Sequence, residues 1–229
     1  MISEVHNCDC IEFMRDLPDD FFDLAICDPP YSHDGDVIIK GGRFQKGRFN
    51  RYRQVDGNPI DIDAWDKTPP QVFFDEIFRV SKNQIIWGAN YFDCMPATRC
   101  FIVWKKQIPE NFSMAMCEYA WTSFQGNAKI VEFSQLSKKD DKRFHPTQKP
   151  VELYGWLLQN YANQGDKIFD PMMGSQSSRI AAYKMGFDYW GCELEKLYFD
   201  KGNERFDEIC KGIIRTSDDK VIRQFTLFD

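Results

Sequence analysis

The apolar run Leu24-Ala25-Ile26-Cys27 is stopped by Asp28-Pro29-Pro30-Tyr31. A short aliphatic run reads as a buried strand, and two consecutive prolines, which fix φ and lack the ladder donor, must end it there. An acid, a stiff backbone and an aromatic ring are thereby presented at a strand end, the edge of an open α/β sheet that meets ligands. The grouping suits a flat heterocycle bearing an amino group. Asp28 and the Pro29 carbonyl can accept its N–H bonds, Pro30 stiffens the turn, and Tyr31 offers a stacking face. On its own the tetrapeptide is equally consistent with a plain proline turn, so its meaning depends on its surroundings.

Immediately downstream, Lys40 to Arg53 carries six basic residues (Lys40, Arg43, Lys46, Arg48, Arg51, Arg53) and no acid, interleaved with Phe44, Phe49, Tyr52 and three glycines. Cations that neutralise phosphates and rings that stack on bases suit a nucleic-acid strand. Such a run is also compatible with a solvated surface loop, but its place beside a base-sized pocket favours a nucleic-acid contact. The net charge of −6 hides this local excess.

A chain of 229 residues accommodates one domain. No segment approaches the roughly 20 apolar residues of a membrane span, and the N-terminus lacks the pattern of a signal peptide. Eight cysteines without a C-x-x-C pair, beside three histidines, argue against a metal site and for reduced core thiols. A cytoplasmic protein is expected. The pattern predicts helices over 9–17, 70–80, 150–162, 177–185 and 195–211. Strands are predicted over 23–27, 84–87, 100–104, 118–124, 167–169 and 188–192, with a loop over 134–143. This alternation is that of an α/β domain.

The last β-α-β unit carries a second motif, Phe169-Asp170-Pro171-Met172-Met173-Gly174-Ser175-Gln176-Ser177-Ser178. A small-residue turn between strand and helix lets the backbone approach a ligand closely. Glu193, about twenty residues on, is placed to take both hydroxyls of a ribose. The turn is not G-x-G-x-x-G, and its leading acid would repel a pyrophosphate. A cofactor with an adenosine, a cationic sulfur and an amino group fits better, which describes S-adenosylmethionine.

Together, Asp28–Tyr31, the block His145-Pro146-Thr147-Gln148-Lys149-Pro150, and Phe169-Asp170-Pro171 with Gly174-Ser175 resemble the amino-methylating DNA methyltransferases. The tetrapeptide precedes the cofactor turn, as in the circularly permuted β group of that family. The resemblance implies a Rossmann-like class I methyltransferase fold: a mostly parallel central sheet with helices on both faces. It implies S-adenosylmethionine as cofactor and direct methyl transfer to a flipped base. Asp28 and Pro29 would hold the amino group, with Tyr31 on the ring. Asp170, Pro171, Met172, Gly174, Ser175, Gln176 and Ser177 would line the cofactor, with Glu193 on the ribose. Asp9 and Cys10 would lie near the adenine, and Thr147 and Lys149 would close over the methionine end. His145 reads as a structural loop histidine. Gln176 departs from the family's usual glycine, and cofactor binding is nevertheless expected to persist.

The aspartate-headed tetrapeptide is associated with adenine N6 rather than cytosine N4. A double-stranded DNA substrate follows, contacted from insertions near 32–64 and 105–143 of a single domain over 1–215. A homodimer, common in this family, would help a small protein cover its site. The tail 216–229 ends in Gln224-Phe225-Thr226-Leu227-Phe228, which resembles the Gln-x-x-Leu-Phe peptides that dock on bacterial sliding clamps through Gln224, Leu227 and Phe228. A tail packed on its own domain is the plainer alternative.

Overall fold

Eight strands form one sheet in the computed structural model, in the spatial order β1 (Ser3–His6), β10 (Asp188–Cys192), β9 (Lys167–Asp170), β2 (Phe22–Cys27), β5 (Ser81–Trp87), β7 (Cys117–Thr122), β6 (Phe101–Lys105) and β8 (Lys129–Glu132). The structure describes residues 1–31, 67–109, 115–134 and 143–215, with the backbone of 54–55, 58–59 and 221–223. The basic run Lys40–Arg53 and the tail residues Gln224, Leu227 and Phe228 lie outside the described residues.

Two-residue strands β3 (Gln54–Val55) and β4 (Asn58–Pro59) pair with each other, as do β11 (Ile213–Arg215) and β12 (Val221–Arg223). Within the large sheet only β7 runs against its neighbours. The mostly parallel sheet read from the sequence is therefore present.

Helices α1 (Cys10–Arg15) and α2 (Gln71–Val80) bring their side chains into one apolar cluster. Those of α3 (Val151–Tyr161) and α4 (Ser177–Met185) enter the other, with α5 (Lys196–Lys211) packed against α4. Adjacent strand residues alternate between the clusters, as the period of a strand requires. Ile85 and Trp87 join the α3/α4 side while Ile86 joins the α1/α2 side, and Ile168 and Phe169 divide likewise. Both faces are thus covered, which is why the central strands read as continuous apolar runs.

The departures from the expected elements have local causes. Strand β5 starts three residues early because α2 runs into it without a loop: Ser81 Oγ donates to the Ile77 carbonyl at 2.5 Å, and Ser81 pairs with Phe22. The sequence pattern missed β1 and β8, four-residue strands at the two edges whose polar residues carry no clear alternation. Strands β7 and β8 also belong to the sheet, so the stretch 105–143 is part of the frame and not wholly an insertion.

Asp23, on β2, fixes the register of three elements. Its carboxylate accepts the Lys167 backbone N–H of β9 at 2.9 Å and pairs with Lys82 of β5 at 2.7 Å. The rings of Phe22 and Phe169 stack at 4.3 Å between these same strands, both fully buried. Truncating Phe169 to alanine should cost about 3–5 kcal/mol of unfolding free energy, read as a lower urea midpoint at unchanged slope.

Candidate functional site

The connections leave β2 toward β5 on one side and β9 toward β10 on the other, so the crevice between β2 and β9 is a topological switch point. The two sequence motifs meet there. Leu24 and Ala25 of β2 pair with Ile168 and Phe169 of β9, so Asp28 and Asp170 emerge side by side at the carboxyl edge. Asp9, Gly88, Lys106 and Glu193 follow the ends of β1, β5, β6 and β10 at the same edge. Glu118 reaches it from the opposite sense, because β7 is antiparallel and its first residues lie where its neighbours end.

Asp28 is held by Lys149, whose Nζ donates to its Oδ2 at 2.5 Å. The same ammonium lies 3.0 Å from Oε2 of Glu118, whose Oε1 pairs with Lys106 at 2.5 Å. Two carboxylates and two ammonium groups thus form a buried, charge-balanced chain. The rings of Trp87 and Trp104 flank it, with Lys149 Nζ 5.4 Å from the first centroid and Lys106 Nζ 5.4 Å from the second. Burial raises the Asp28 carboxyl against the pull of Lys149, whereas the two lysines hold that of Glu118 below its ordinary range despite burial. Lys149 is the reverse case: the acids keep it protonated although it is buried. Its head group therefore sits at the tetrapeptide.

Tyr31 stacks on Tyr91 with ring centroids 4.6 Å apart and planes 9° from parallel. Gly88 makes room for that ring. It adopts φ +65°, and a Cβ there would lie 2.5 Å from Cδ1 and Cε1 of Tyr31.

Across the crevice, Asp170 Oδ2 accepts from Ser178 Oγ at 2.5 Å and Oδ1 from the Met172 N–H at 3.1 Å. Glu193 accepts the Gly174 N–H at 2.8 Å and the Glu195 N–H at 2.9 Å, which ties the turn to β10. Burial pushes both carboxyls up to about 7, against the lowering effect of these hydrogen bonds, and Asp28 and Glu193 raise Asp170 further. Gly174 has φ +48°, and the ring of His145 would lie 3.1 Å from a Cβ at that position. The block 145–150 is thereby seated on the turn. His145 packs edge-on against Tyr198 at 4.2 Å, and burial, with the charges of Arg143 and Lys149, depresses it to about 3. Thr147 Oγ1 lies 3.2 Å from its Nδ1. Arg205 of α5 donates to the Ser175 carbonyl at 2.6 Å and to Ser177 Oγ at 3.0 Å, and Ser177 Oγ donates to the Lys149 carbonyl at 2.7 Å.

Asp9 caps α1, accepting from Ile11 and Glu12 N–H at 2.7 and 3.3 Å. Cys10 is buried beside it, and burial pushes its thiol up to about 12. Pro171 and Met172 belong to the turn after β9. No group of acids, histidines and cysteines among the described residues could hold a metal, and no described helix is long and apolar enough to cross a membrane.

Gln176 takes the left-handed conformation, φ +60° and ψ +25°, that the family's glycine would take freely. Its side chain is fully buried but turned toward α5, not toward the crevice. Nε2 donates to the Phe199 carbonyl at 3.2 Å, and Oε1 accepts from Arg179 at 2.8 Å. Gly202 receives it: a Cβ there would lie 2.5 to 2.7 Å from the Gln176 amide.

Sequence reasoning missed Glu118, Lys106, Gly88 and Tyr91. A charge bordering an apolar strand resembles any solvated strand end, and only the direction of β7 shows that Glu118 faces the site.

A mostly parallel sheet with acids and a glycine turn gathered at its switch point defines a Rossmann-like methyltransferase fold. The DNA methylase family model matches residues 24–204, and the chain belongs to that N6/N4 family of DNA amino-methyltransferases. The chain is 25% identical over 97% of its length to the type II methyltransferase M2.MboI of Moraxella bovis, covering 94% of that protein. It is 23% identical over 88% of its length to M.HinfI of Haemophilus influenzae, covering 67% of that protein. Among solved structures, the M1.HpyAVI–SAM complex superposes with a TM-score of 0.58 at 20% identity, over 90% of this chain and 100% of that one. The cytosine-N4-specific PvuII DNA methyltransferase gives 0.53 at 12% identity, over 90% and 91%.

Gly202→Ala should cost about 1–3 kcal/mol through overpacking on Gln176. In a Gln176→Gly background the same change should be neutral or stabilising by up to ~1 kcal/mol, from helix propensity. A double-mutant cycle by denaturant unfolding measures the coupling, and additive effects would contradict the shared space.

Proposed function

We propose that this chain transfers a methyl group from S-adenosylmethionine to the exocyclic amino group of a flipped base in double-stranded DNA, most specifically adenine N6. The observation that carries the reading is the emergence of Asp28–Tyr31 and the Asp170–Gly174 turn from adjacent strands at the switch point. The preference for adenine rests on the aspartate that heads the tetrapeptide. The family supports either amino base.

The crevice fits the cofactor. Asp170 and Glu193 are buried carboxyls that a neighbouring cation would stabilise in their ionised form, and Gly174 lets the His145 ring seat the 145–150 block against the turn. Asp9, Cys10, Thr147, Pro171, Met172, Ser175 and Ser177 complete the set, while Gln176 contributes backbone alone. When bound, S-adenosylmethionine supplies an electrophilic methyl group on a sulfonium.

The chain's own residues position the acceptor. Asp28 and the Pro29 carbonyl accept the two N–H bonds of the amino group, which orients the nitrogen lone pair, and Tyr31 holds the ring plane. Burial of the site excludes competing water. No thiol nucleophile is required, and burial keeps Cys10, Cys27 and Cys192 protonated.

The basic run Lys40–Arg53 is assigned to the DNA backbone. The resemblance at Gln224, Leu227 and Phe228 supports a sliding-clamp contact, and a homodimer would extend the surface that meets DNA.

Asp28→Ala should lower methyl transfer by at least about 10²-fold, as loss of a positioned polar contact does. Labelled S-adenosylmethionine and unmethylated DNA measure this. Mass spectrometry of the digested product should show N6-methyladenine, and N4-methylcytosine alone would overturn the adenine assignment.

Because Asp170 and Glu193 titrate near 7 when folded, above their ordinary values, folding takes up protons in that window. The ligand-free protein should lose stability as pH rises from about 4.5 to 7. The bound cation should draw both groups down, so affinity should be weaker at pH 6 than at pH 8, by up to about 10-fold for each group that becomes fully ionised. Calorimetry in buffers of different ionisation enthalpy should detect proton release on binding at pH 6. Affinity independent of pH would contradict this account.

A further inference from the structure

We propose, resting on the amino-methyltransferase reading above, that Glu118 is a positioning residue that takes the Lys149 ammonium from Asp28 when the target amino group docks. One oxygen of the carboxylate that reading needs is already engaged: Lys149 Nζ, itself buried from solvent, donates to Asp28 Oδ2 at 2.5 Å. An incoming N–H therefore shares the carboxylate with a buried ammonium, which weakens Asp28 as an acceptor until that ammonium shifts. Moving that ammonium into apolar surroundings without a partner would cost several kcal/mol.

Glu118 supplies the partner. Its Oε2 forms an ion pair with Lys149 Nζ at 3.0 Å, longer than the Asp28 contact, while Oε1 is fixed by Lys106 at 2.5 Å. A buried carboxylate oxygen already paired with the ammonium is poised to take more of it after a small reorientation. The ring of Trp87, with its centroid 5.4 Å from Nζ, faces the cation during the transfer. Lys106 keeps Glu118 in place and balances its charge, so the handover changes hydrogen-bond partners without changing the net charge of the buried chain. Released from Lys149, the Asp28 carboxylate accepts the base.

The test is steady-state methylation by Glu118→Gln and by the charge-balanced pair Glu118→Gln with Lys106→Met, beside wild type and Asp28→Ala. A glutamine cannot stabilise the displaced ammonium as a carboxylate does. Both variants should show kcat reduced by about 10- to 100-fold, with KM for DNA and calorimetric affinity for S-adenosylmethionine within about twofold of wild type. If the single variant fails to fold because two lysines lose their shared anion, the paired variant decides the matter. Recovery of wild-type kcat in the paired variant would overturn the proposal, because charge balance alone would then explain Glu118. A wild-type protein that methylates no DNA would instead overturn the underlying reading.

Discussion

A sheet covered on both faces has no interior place for an unpaired charge, and this constraint organises the molecule. Side chains from β2, β5, β9 and β10 enter the two apolar clusters above and below the sheet. Charged groups tied to those strands are left to the strand ends, where backbone donors and loop residues can meet them. At the carboxyl edge this concentrates Asp28, Asp170 and Glu193 within one crevice. The antiparallel course of β7 adds Glu118 to the same edge.

The crevice then solves the burial of charge in two ways. On the β2 side, acids and lysines alternate, so each charge has an opposite neighbour and the chain is neutral. On the β9 side, Asp170 and Glu193 have only neutral donors among the described residues, chiefly Ser178 and backbone N–H groups. That half is short of positive charge. The asymmetry divides the labour of the site: one half is electrostatically complete, and the other favours a cationic ligand.

The strands and helices that carry the two motifs were legible because their signals are local. Proline pairs stop β2 and open α2, and the glycine turn precedes α4, whose predicted span 177–185 coincides with the observed helix. The edge strands β1 and β8 were not legible, since four polar-rich residues pair only because a neighbouring strand offers an open edge. The partners of Asp28 were hidden for another reason. Lys149 lies 121 positions away in the chain, and Glu118 meets it only through the direction of β7. Gln176 was visible as a departure, but its orientation depended on a glycine one helix later.

That pairing has a consequence for how the two positions can vary. Gln176 and Gly202 fill a single volume between them, so neither residue is an independent choice. A larger residue on α5 demands a smaller one in the turn, while removing the glutamine amide leaves Arg179 to find another acceptor beside Asn203. Sequence change across this contact must therefore proceed in matched steps, and transplanting the turn into a related scaffold succeeds only if the facing surface of α5 travels with it.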